Sequence, residues 1–204
     1  MYNRGTEKRK IFLDKQDYNV LLSYLKEYLL PKNEKELQEK LSDPLLNAQE
    51  RKKIVRTLNL NNFNNEITLL AYCLMPNHFH FFIKQKSAGS IDKFMNSLGT
   101  RYTMYFNKKY KRVGSLYQGV YKGILITNEE HYLYLTRYIH AQALPIQPSS
   151  YKHYLKEEKS EWIFAEEVLS FFSTRNPKLS YKIFVESNED FDPIHKISLE
   201  KLHR

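Results

Sequence analysis

Two histidines flank a phenylalanine in the apolar run 78–84, which reads HFHFFIK. Such a short apolar and aromatic run, bounded by turn residues, predicts a β-strand. Alternate residues of a strand project to the same face, so His78 and His80 should point together while Phe79 packs on the opposite side. Two neighbouring imidazoles can bind one divalent cation. Because the pattern is short, the same residues are also compatible with two incidental histidines, one of them buried and hydrogen-bonded.

A tyrosine and a glutamine lie four residues apart in the segment 128–143, whose acidic first turn is typical of a helix start. The spacing places Tyr138 and Gln142 on one helix face, about one turn apart. A tyrosine hydroxyl there could attack a phosphodiester and form a covalent phosphotyrosine, with a divalent ion neutralising the developing charge. The amide oxygen of Gln142 could complete the metal shell. Tyr132 and Tyr134 crowd the same helix, so these tyrosines could instead be packing residues.

The window 93–128 contains seven basic residues and no acidic residue, which accounts for most of the net charge of +9. Seven aromatic residues are interspersed with these cations. Cations neutralise phosphates and aromatic rings stack on unpaired bases, so this composition indicates a groove for single-stranded nucleic acid. The other interpretation is that half of the aromatic residues lie on the buried face of a helix and that the cations are solvated. The candidate DNA-binding residues are Arg101, Tyr105, Lys108, Lys109, Lys111, Arg112, Tyr117, Tyr121 and Lys122.

The composition is that of a soluble, basic globular protein. The chain has 204 residues, 42% of them hydrophobic and 27% charged, and its pI of about 9.4 suggests a polyanionic partner. The single cysteine, Cys73, excludes an internal disulfide and a multi-cysteine zinc site. No apolar run approaches the roughly 20 residues that span a bilayer, and the polar N-terminus lacks the hydrophobic segment of a secretory signal. We therefore predict a cytoplasmic protein, associated with the nucleoid if bacterial, without a membrane partner.

The order of elements predicts an α+β fold, in which a small central antiparallel sheet is flanked by helices. The mixed-charge segment 31–62 is interpreted as a helical insertion, and residues 146–204 as a C-terminal helical extension of a domain at 1–145. The predicted strands are a short piece within 1–10, then 67–74, 78–84 and 124–127. The predicted helices are 14–30, 34–41, 46–58, 91–110 with Ser90 as its N-cap, 128–143, 164–173 and 178–186.

Several segments together resemble one protein family. They are YNRG…KIFLD near the N-terminus, MPNHFHFFIK, RYTMYFNKKYKRVGSLYQGVYKGILI, YLTRYIHAQ and PSSY. In this combination the chain resembles the HUH-class single-strand tyrosine transposases, and among them the REP-associated branch. The resemblance covers residues 2–30 and about 69–154. It implies the HUH fold, a ferredoxin-like or RRM-like arrangement, and makes residues 1–145 an HUH transposase-like catalytic domain.

The resemblance also implies a mechanism. His78 and His80 match the metal ligands of the family, Gln142 matches the third ligand, and Tyr138 matches the nucleophile. The metal in relatives is Mg²⁺ or Mn²⁺, and no nucleotide energy source is used. The family acts on single-stranded DNA beside a hairpin, where the tyrosine forms a 5′-phosphotyrosine and releases a 3′-hydroxyl that later rejoins the strand. The REP-associated branch resembles monomers more than domain-sharing homodimers.

The chain departs from the family pattern in four places. Gln142-Ala143 stands where relatives often have Asn-Pro. Val120 stands where an arginine usually precedes the Tyr-Lys pair, which removes one expected phosphate contact. The first strand begins close to Met1, whereas relatives usually have several residues before it, and the insertion 31–62 is unusually long. These departures leave the two histidines and the tyrosine unaffected.

Other functions compete with a transposase. A domesticated module that binds single-stranded or hairpin nucleic acid would keep the basic groove without catalysis, but it would have little reason to keep both histidines, the tyrosine and the glutamine. A histidine-triad hydrolase needs a third alternating histidine, and position 82 is Phe. Two-histidine phosphoesterases need a second His-x-Ser/Thr strand, which His153-Tyr154-Leu155 does not supply. We therefore expect an enzyme that cleaves and rejoins single-stranded DNA near hairpins.

Overall fold

The computed structural model describes residues 1–176 and 179–187. Its centre is an antiparallel sheet of three strands in the order β1-β3-β2, with β1 at Tyr2–Arg4, β2 at Ile67–Met75 and β3 at His78–Gln85. The predicted α+β class, a small antiparallel sheet flanked by helices, is confirmed. The helices are α1 (Lys15–Leu29), α2 (Glu34–Leu41), α3 (Ala48–Leu58), α4 (Ser90–Lys109), α5 (Glu129–Ala143), α6 (Tyr151–Tyr154), α7 (Glu166–Leu169) and α8 (Tyr181–Glu186).

The two faces of the sheet are buried under different helices. Phe79 and Phe81 of β3 pack with apolar residues of α1 and α4, whereas Phe82 packs with residues of α5. Because side chains alternate along a strand, His78 and His80 lie on the same face as Phe82, towards α5. Burial on both faces explains why β2 and β3 read as nearly continuous apolar runs.

Side-chain caps mark the starts of α1 and α5. The Asp14 carboxylate accepts a hydrogen bond from the Asp17 N–H, and the Asp17 carboxylate accepts one from the Asp14 N–H, which forms a capping box at α1. Asn128 caps α5 by accepting from the N–H of His131. The helices predicted at 14–30, 34–41, 46–58, 91–110 and 128–143 are confirmed within two residues at each end.

The prediction that Ser90 caps α4 is wrong. Gly89 precedes the helix in the left-handed conformation, with φ at +78°, a region that glycine enters without steric cost. The hydroxyl of Ser90 instead donates to the carboxylate of Glu66 at 2.7 Å. The serine therefore anchors the start of α4 to the residue that precedes β2.

The prediction of a strand at 124–127 is also wrong. The chain pairs with β1 earlier, through isolated bridges of Tyr117 with Gly5 and of Lys122 with Tyr2. The N–H of Lys122 donates to the carbonyl of Tyr2 at 2.8 Å, and the reverse bond measures 2.9 Å.

The segment 31–62, which is predicted to be an insertion, forms a pair of helices. No residue of α2 or α3, both of which lie fully within the described chain, is buried. The ammonium group of Lys32 donates to the carbonyls of Leu58 and Leu60 and so ties the two ends of the insertion together. The mixed charge of this segment is thus explained by its exposure to solvent.

The C-terminal segment covers the outer edge of β2. The N–H of Leu74 donates to the carbonyl of Pro148, and the N–H of Phe164 donates to the carbonyl of Leu69, both at 2.9 Å. Covering the edge in this way protects a strand that would otherwise pair with other chains. Beyond the edge, α6, α7 and α8 enclose an apolar cluster of their own.

The C-terminal helices differ in length from the prediction. The helix predicted at 164–173 is reduced to the four residues of α7, and α6 was not predicted. The helix predicted at 178–186 is present as α8, while position 178 lies outside the described residues. Within residues 1–176 and 179–187, no helix is both long enough and apolar enough to cross a membrane.

Candidate active site

The two histidines of β3 lie side by side under α5. Their ring centroids are 5.1 Å apart and the rings are perpendicular. His80 lies opposite Tyr2 of β1 and Cys73 of β2, and His78 lies opposite Arg4. Opposed residues on neighbouring strands share a face of the sheet, so these five residues form one surface. We call this surface the histidine face.

Helix α5 carries Tyr138 to the histidine face. The Tyr138 and His80 ring centroids are 5.4 Å apart, with the ring planes perpendicular. Gln142 donates from Nε2 to the hydroxyl of Tyr138 at 3.0 Å, and its Oε1 lies 3.7 Å from the Cys73 sulfur. The predicted nucleophile and all three predicted metal ligands are therefore brought to one place.

His140, two residues after Tyr138, points away from this face into the protein. It is fully buried, with Nδ1 at 2.6 Å from the hydroxyl of Tyr181 and Nε2 at 2.7 Å from that of Ser150. Burial lowers the pKa of His140 to about 3, so the ring is neutral. His140 links α5 to α8 through Tyr181. Through Ser150 it also links α5 to the backbone of Tyr72 in β2.

The tyrosines and the cysteine at the site are neutral. Burial is the main cause that raises the pKa of Tyr138 to about 12, while the hydrogen bond from Gln142 opposes this shift. Burial likewise raises the pKa of the Cys73 thiol to about 12. The pKa of Tyr2 is raised by burial and opposed by the positive charge of Arg4. The site therefore holds phenols and a thiol rather than their anions.

The donor set fits a divalent cation. Nδ1 of His78 lies 2.7 Å from Oδ1 of Asn77, a contact that favours the tautomer whose Nε2 carries the lone pair that binds a metal. Nδ2 of Asn77 donates to the carbonyl of Lys8, which fixes the orientation of the amide. No group of three or more His, Cys, Asp or Glu side chains in the described part of the chain could hold a metal. The neutral amide of Gln142 is thus the candidate third protein ligand.

Comparison with known families identifies the chain. The sequence model of the family described as "Transposase IS200 like" matches residues 37–142, just over half of the chain. The chain belongs to the IS200-like transposase family. No curated protein and no solved structure matches it. Family membership assigns this IS200-like transposase to DNA transposition, with DNA as its macromolecular ligand and a divalent metal ion as the usual cofactor.

Two of the candidate DNA-binding cations of this transposase are paired within the protein. Arg101 donates to Glu27 at 2.6 Å and lies over the ring of Tyr24, 3.6 Å from its centroid. Lys109 contacts Asp14 at 2.7 Å and Asp17 at 2.8 Å. Their charges are compensated by carboxylates at the α1–α4 contact.

The three candidate stacking aromatics are also engaged. Tyr117 is buried, the Tyr105 hydroxyl donates to Asp17 at 2.9 Å, and the Tyr121 hydroxyl donates to Asp92. Arg112 is half-buried and donates to the side chain of Asn107. Lys108, Lys111 and Lys122 are exposed. The positions available to DNA in this transposase are thus mainly the lysines.

Sequence reasoning missed four residues that shape the site. Tyr2, Arg4 and Cys73 reach it through strand pairing, whose register is not visible in the sequence. His140 holds α5, the helix of Tyr138, through its hydrogen bonds to Tyr181 and Ser150. The sequence predicts a strand within 1–10, but no pattern in the YNRG motif indicates that this strand lies beside the histidines.

Proposed function

We propose that this IS200-like transposase cleaves and rejoins single-stranded DNA by transesterification through Tyr138, as an HUH-class enzyme of the REP-associated branch. The observation that carries the proposal is the contact of Tyr138 with both His80 and Gln142 on the histidine face. A phenol supplies a nucleophile for a phosphodiester, and two imidazoles with an amide oxygen supply ligands for a divalent ion. These groups come from β3 and α5 of one chain, which supports a monomer as the active form.

In the proposed reaction, the hydroxyl oxygen of Tyr138 attacks the scissile phosphorus. One P–O bond forms to the tyrosine and the P–O bond to the 3′ oxygen breaks, so the phosphate stays attached to the 5′ end of the downstream strand. The phenolic proton leaves the tyrosine and the departing 3′ oxygen gains a proton. Because one phosphodiester replaces another, the reverse attack by the 3′-hydroxyl rejoins the strand without a nucleotide energy source.

The residues that would hold Mg²⁺ or Mn²⁺ are His78, His80 and Gln142. The ion, when bound, would polarise the scissile phosphate and neutralise the charge that develops on it. All three side chains would bind the ion as neutral ligands. The positive charge of the ion would therefore remain available to the phosphate. Gln142 has a second task, because its Nε2–H donates to Tyr138 and holds the phenol oxygen in a defined position.

The proposed substrate is single-stranded DNA beside a hairpin. The exposed cations Lys108, Lys111 and Lys122 belong to a window without any acidic residue. Lys122 pairs with β1 next to the histidine face, so the positive charge extends up to the site. Phosphates of an unpaired strand can therefore be neutralised on the way to Tyr138.

The test is a denaturing gel of the full chain with end-labelled hairpin-containing single strands and Mn²⁺. We expect an SDS-resistant protein–DNA band with the wild type and with Tyr134→Phe, and none with Tyr138→Phe or with EDTA. Tyr134→Phe is the matched control because it removes a phenol one turn earlier on the same helix. A duplex of the same sequence serves as the control for strand specificity.

The outcomes separate the candidate functions. A band that persists with Tyr138→Phe would show that another tyrosine is the nucleophile. Tight hairpin binding without a band, across a panel of strands, would make the protein a nucleic-acid-binding module without catalysis. A band with duplex DNA as strong as with single strands would contradict the single-strand assignment.

A further inference from the structure

Arg4 is a cation on the histidine face that lies outside the basic window 93–128. It lies directly opposite His78 in the β1–β3 pairing, two residues from Tyr2, whose ring contacts both histidines. We propose that Arg4, assisted by Lys122, binds a phosphate of the DNA strand that crosses the histidine face. The inference rests on the proposed function, because it takes single-stranded DNA as the ligand.

The guanidinium of Arg4 is held in a fixed orientation. Its Nε and Nη2 both donate to Oε1 of Gln118, at 3.1 and 2.9 Å. Gln118 is in turn fixed by its own N–H, which donates to the Arg4 carbonyl at 2.9 Å. A pre-oriented guanidinium loses little conformational entropy when it binds a phosphate, and its remaining N–H groups match the geometry of an oxyanion.

The charge of Arg4 is not compensated by an acid. No carboxylate oxygen of residues 1–176 and 179–187 lies within 4.0 Å of its guanidinium nitrogens, and the partner that holds it, Gln118, is neutral. Arg101 and Lys109 differ in this respect, because each pairs with a carboxylate at less than 3 Å. A half-buried cation without a counter-ion, beside the candidate metal ligands, has an anion as its natural partner.

Lys122 adds a second cation on the same side. It lies opposite Tyr2 in an isolated antiparallel bridge, and opposed residues share a face. It is exposed, and no ion pair within the described ranges engages it. Arg4 and Lys122 thus lie at the side of the histidine face that is away from β2. There they can hold the DNA strand against His78 and His80.

The test measures DNA affinity without chemistry. A fluorescent hairpin-containing single strand is titrated with the full chain in EDTA, at several salt concentrations, for the wild type, Arg4→Gln, Arg4→Lys, Lys122→Gln and Arg56→Gln. Each lost phosphate contact lowers the slope of log affinity against log salt by about 0.7 for single strands. Arg56→Gln is the matched control, because it removes an exposed arginine from α3 in the insertion. Adduct formation is measured in parallel with Mn²⁺.

We expect Arg4→Gln and Lys122→Gln each to lower the salt slope by about 0.7, while Arg4→Lys and Arg56→Gln keep the wild-type slope. An unchanged slope in Arg4→Gln overturns the inference. If Arg4→Gln does not fold, the exposed Lys122→Gln decides in its place, and an unchanged slope in that variant overturns the inference. A wild type that binds with the expected slopes but forms no adduct would refute the proposed reaction and leave the inference standing.

Discussion

The ring of Tyr138 on α5 meets the ring of His80 on β3 at a right angle, with 5.4 Å between the centroids. This contact depends on how α5 is docked. Ile139 and Ala143 pack on the sheet, and His140 hydrogen-bonds to groups of the C-terminal segment on the other side. The position of the candidate nucleophile is therefore set by residues that do not contact DNA in the proposed reaction.

Replacing His140 should destabilise the protein through lost hydrogen bonds. His140→Phe keeps a ring but removes the bonds to Tyr181 and Ser150, and we expect a loss of about 2 kcal/mol in the free energy of unfolding, since each bond contributes about 1 kcal/mol. Tyr181→Phe removes only one of the two and should cost about half as much. Urea unfolding measures both values. Wild-type stability in His140→Phe would show that the network does not hold α5.

Variants of Gln142 separate its two candidate roles. Gln142→Glu keeps an oxygen ligand but cannot donate to Tyr138, whereas Gln142→Leu has neither property. If ligation is the main role, Gln142→Glu forms the Mn²⁺-dependent adduct while Gln142→Leu loses at least tenfold, about the effect of removing a group that supports a metal site. The rate of adduct formation measures this. Equal loss in both variants would assign Gln142 to positioning the phenol instead.

Metal binding should depend on the histidines of the histidine face. We expect His80→Ala to abolish Mn²⁺ binding in titration calorimetry and Asn77→Ala, which removes the partner of His78 Nδ1, to weaken it about 10- to 100-fold. His131→Ala, at the start of α5, should bind as the wild type does. Because imidazole nitrogen binds divalent first-row transition-metal ions, Mn²⁺ included, more tightly than it binds Mg²⁺, Mn²⁺ should bind more tightly than Mg²⁺. Equal Mn²⁺ binding by wild type and His80→Ala would refute this site.

Acid should weaken the contact between α1 and α4. Burial acts to raise the pKa of Asp17, but hydrogen bonds from Lys109, the Leu13 N–H, Tyr110 and Tyr105 outweigh it and lower the pKa below its usual value. The folded state therefore binds this proton less readily than the unfolded state, and the stabilisation is complete above the unfolded pKa of about 3.9.

The loss should follow as the pH falls below about 4. Asp17→Asn removes the charge from a fully buried site and should cost about 3 kcal/mol at neutral pH, since it breaks a buried ion pair. Urea unfolding at pH 7 and at about pH 3 should show a smaller pH dependence in Asp17→Asn than in the wild type. The same pH dependence in both proteins would mean that other carboxylates control acid stability.

The exposed and the paired cations of the basic window should respond differently to neutralisation. Lys108→Gln removes a solvent-exposed charge and should weaken DNA binding at low salt without changing the thermal unfolding midpoint. Arg101→Gln breaks the contacts with Glu27 and Tyr24 and should mainly lower that midpoint. Anisotropy titration and thermal unfolding of both variants test the contrast. The prediction fails if Arg101→Gln weakens DNA binding more than Lys108→Gln does.

Local features of the sequence determined much of this protein. Apolar spacing and capping residues predicted α1 to α5 and the strands β2 and β3, because these signals act between residues a few positions apart. The same local periodicities put His78 with His80, and Tyr138 with Gln142, on common faces. They did not predict the cap at Gly89, which depends on backbone conformation and on the distant Glu66.

Only the tertiary structure decided which groups meet. Tyr2 and Arg4 reach the histidines through the β1–β3 register, which is set by packing of the whole sheet and not by any pattern within YNRG. Arg101 and Lys109 read as DNA-binding cations in the sequence, but folding places carboxylates of α1 beside them. Charge is a property of composition, whereas its availability to a ligand depends on which distant residues fold against it.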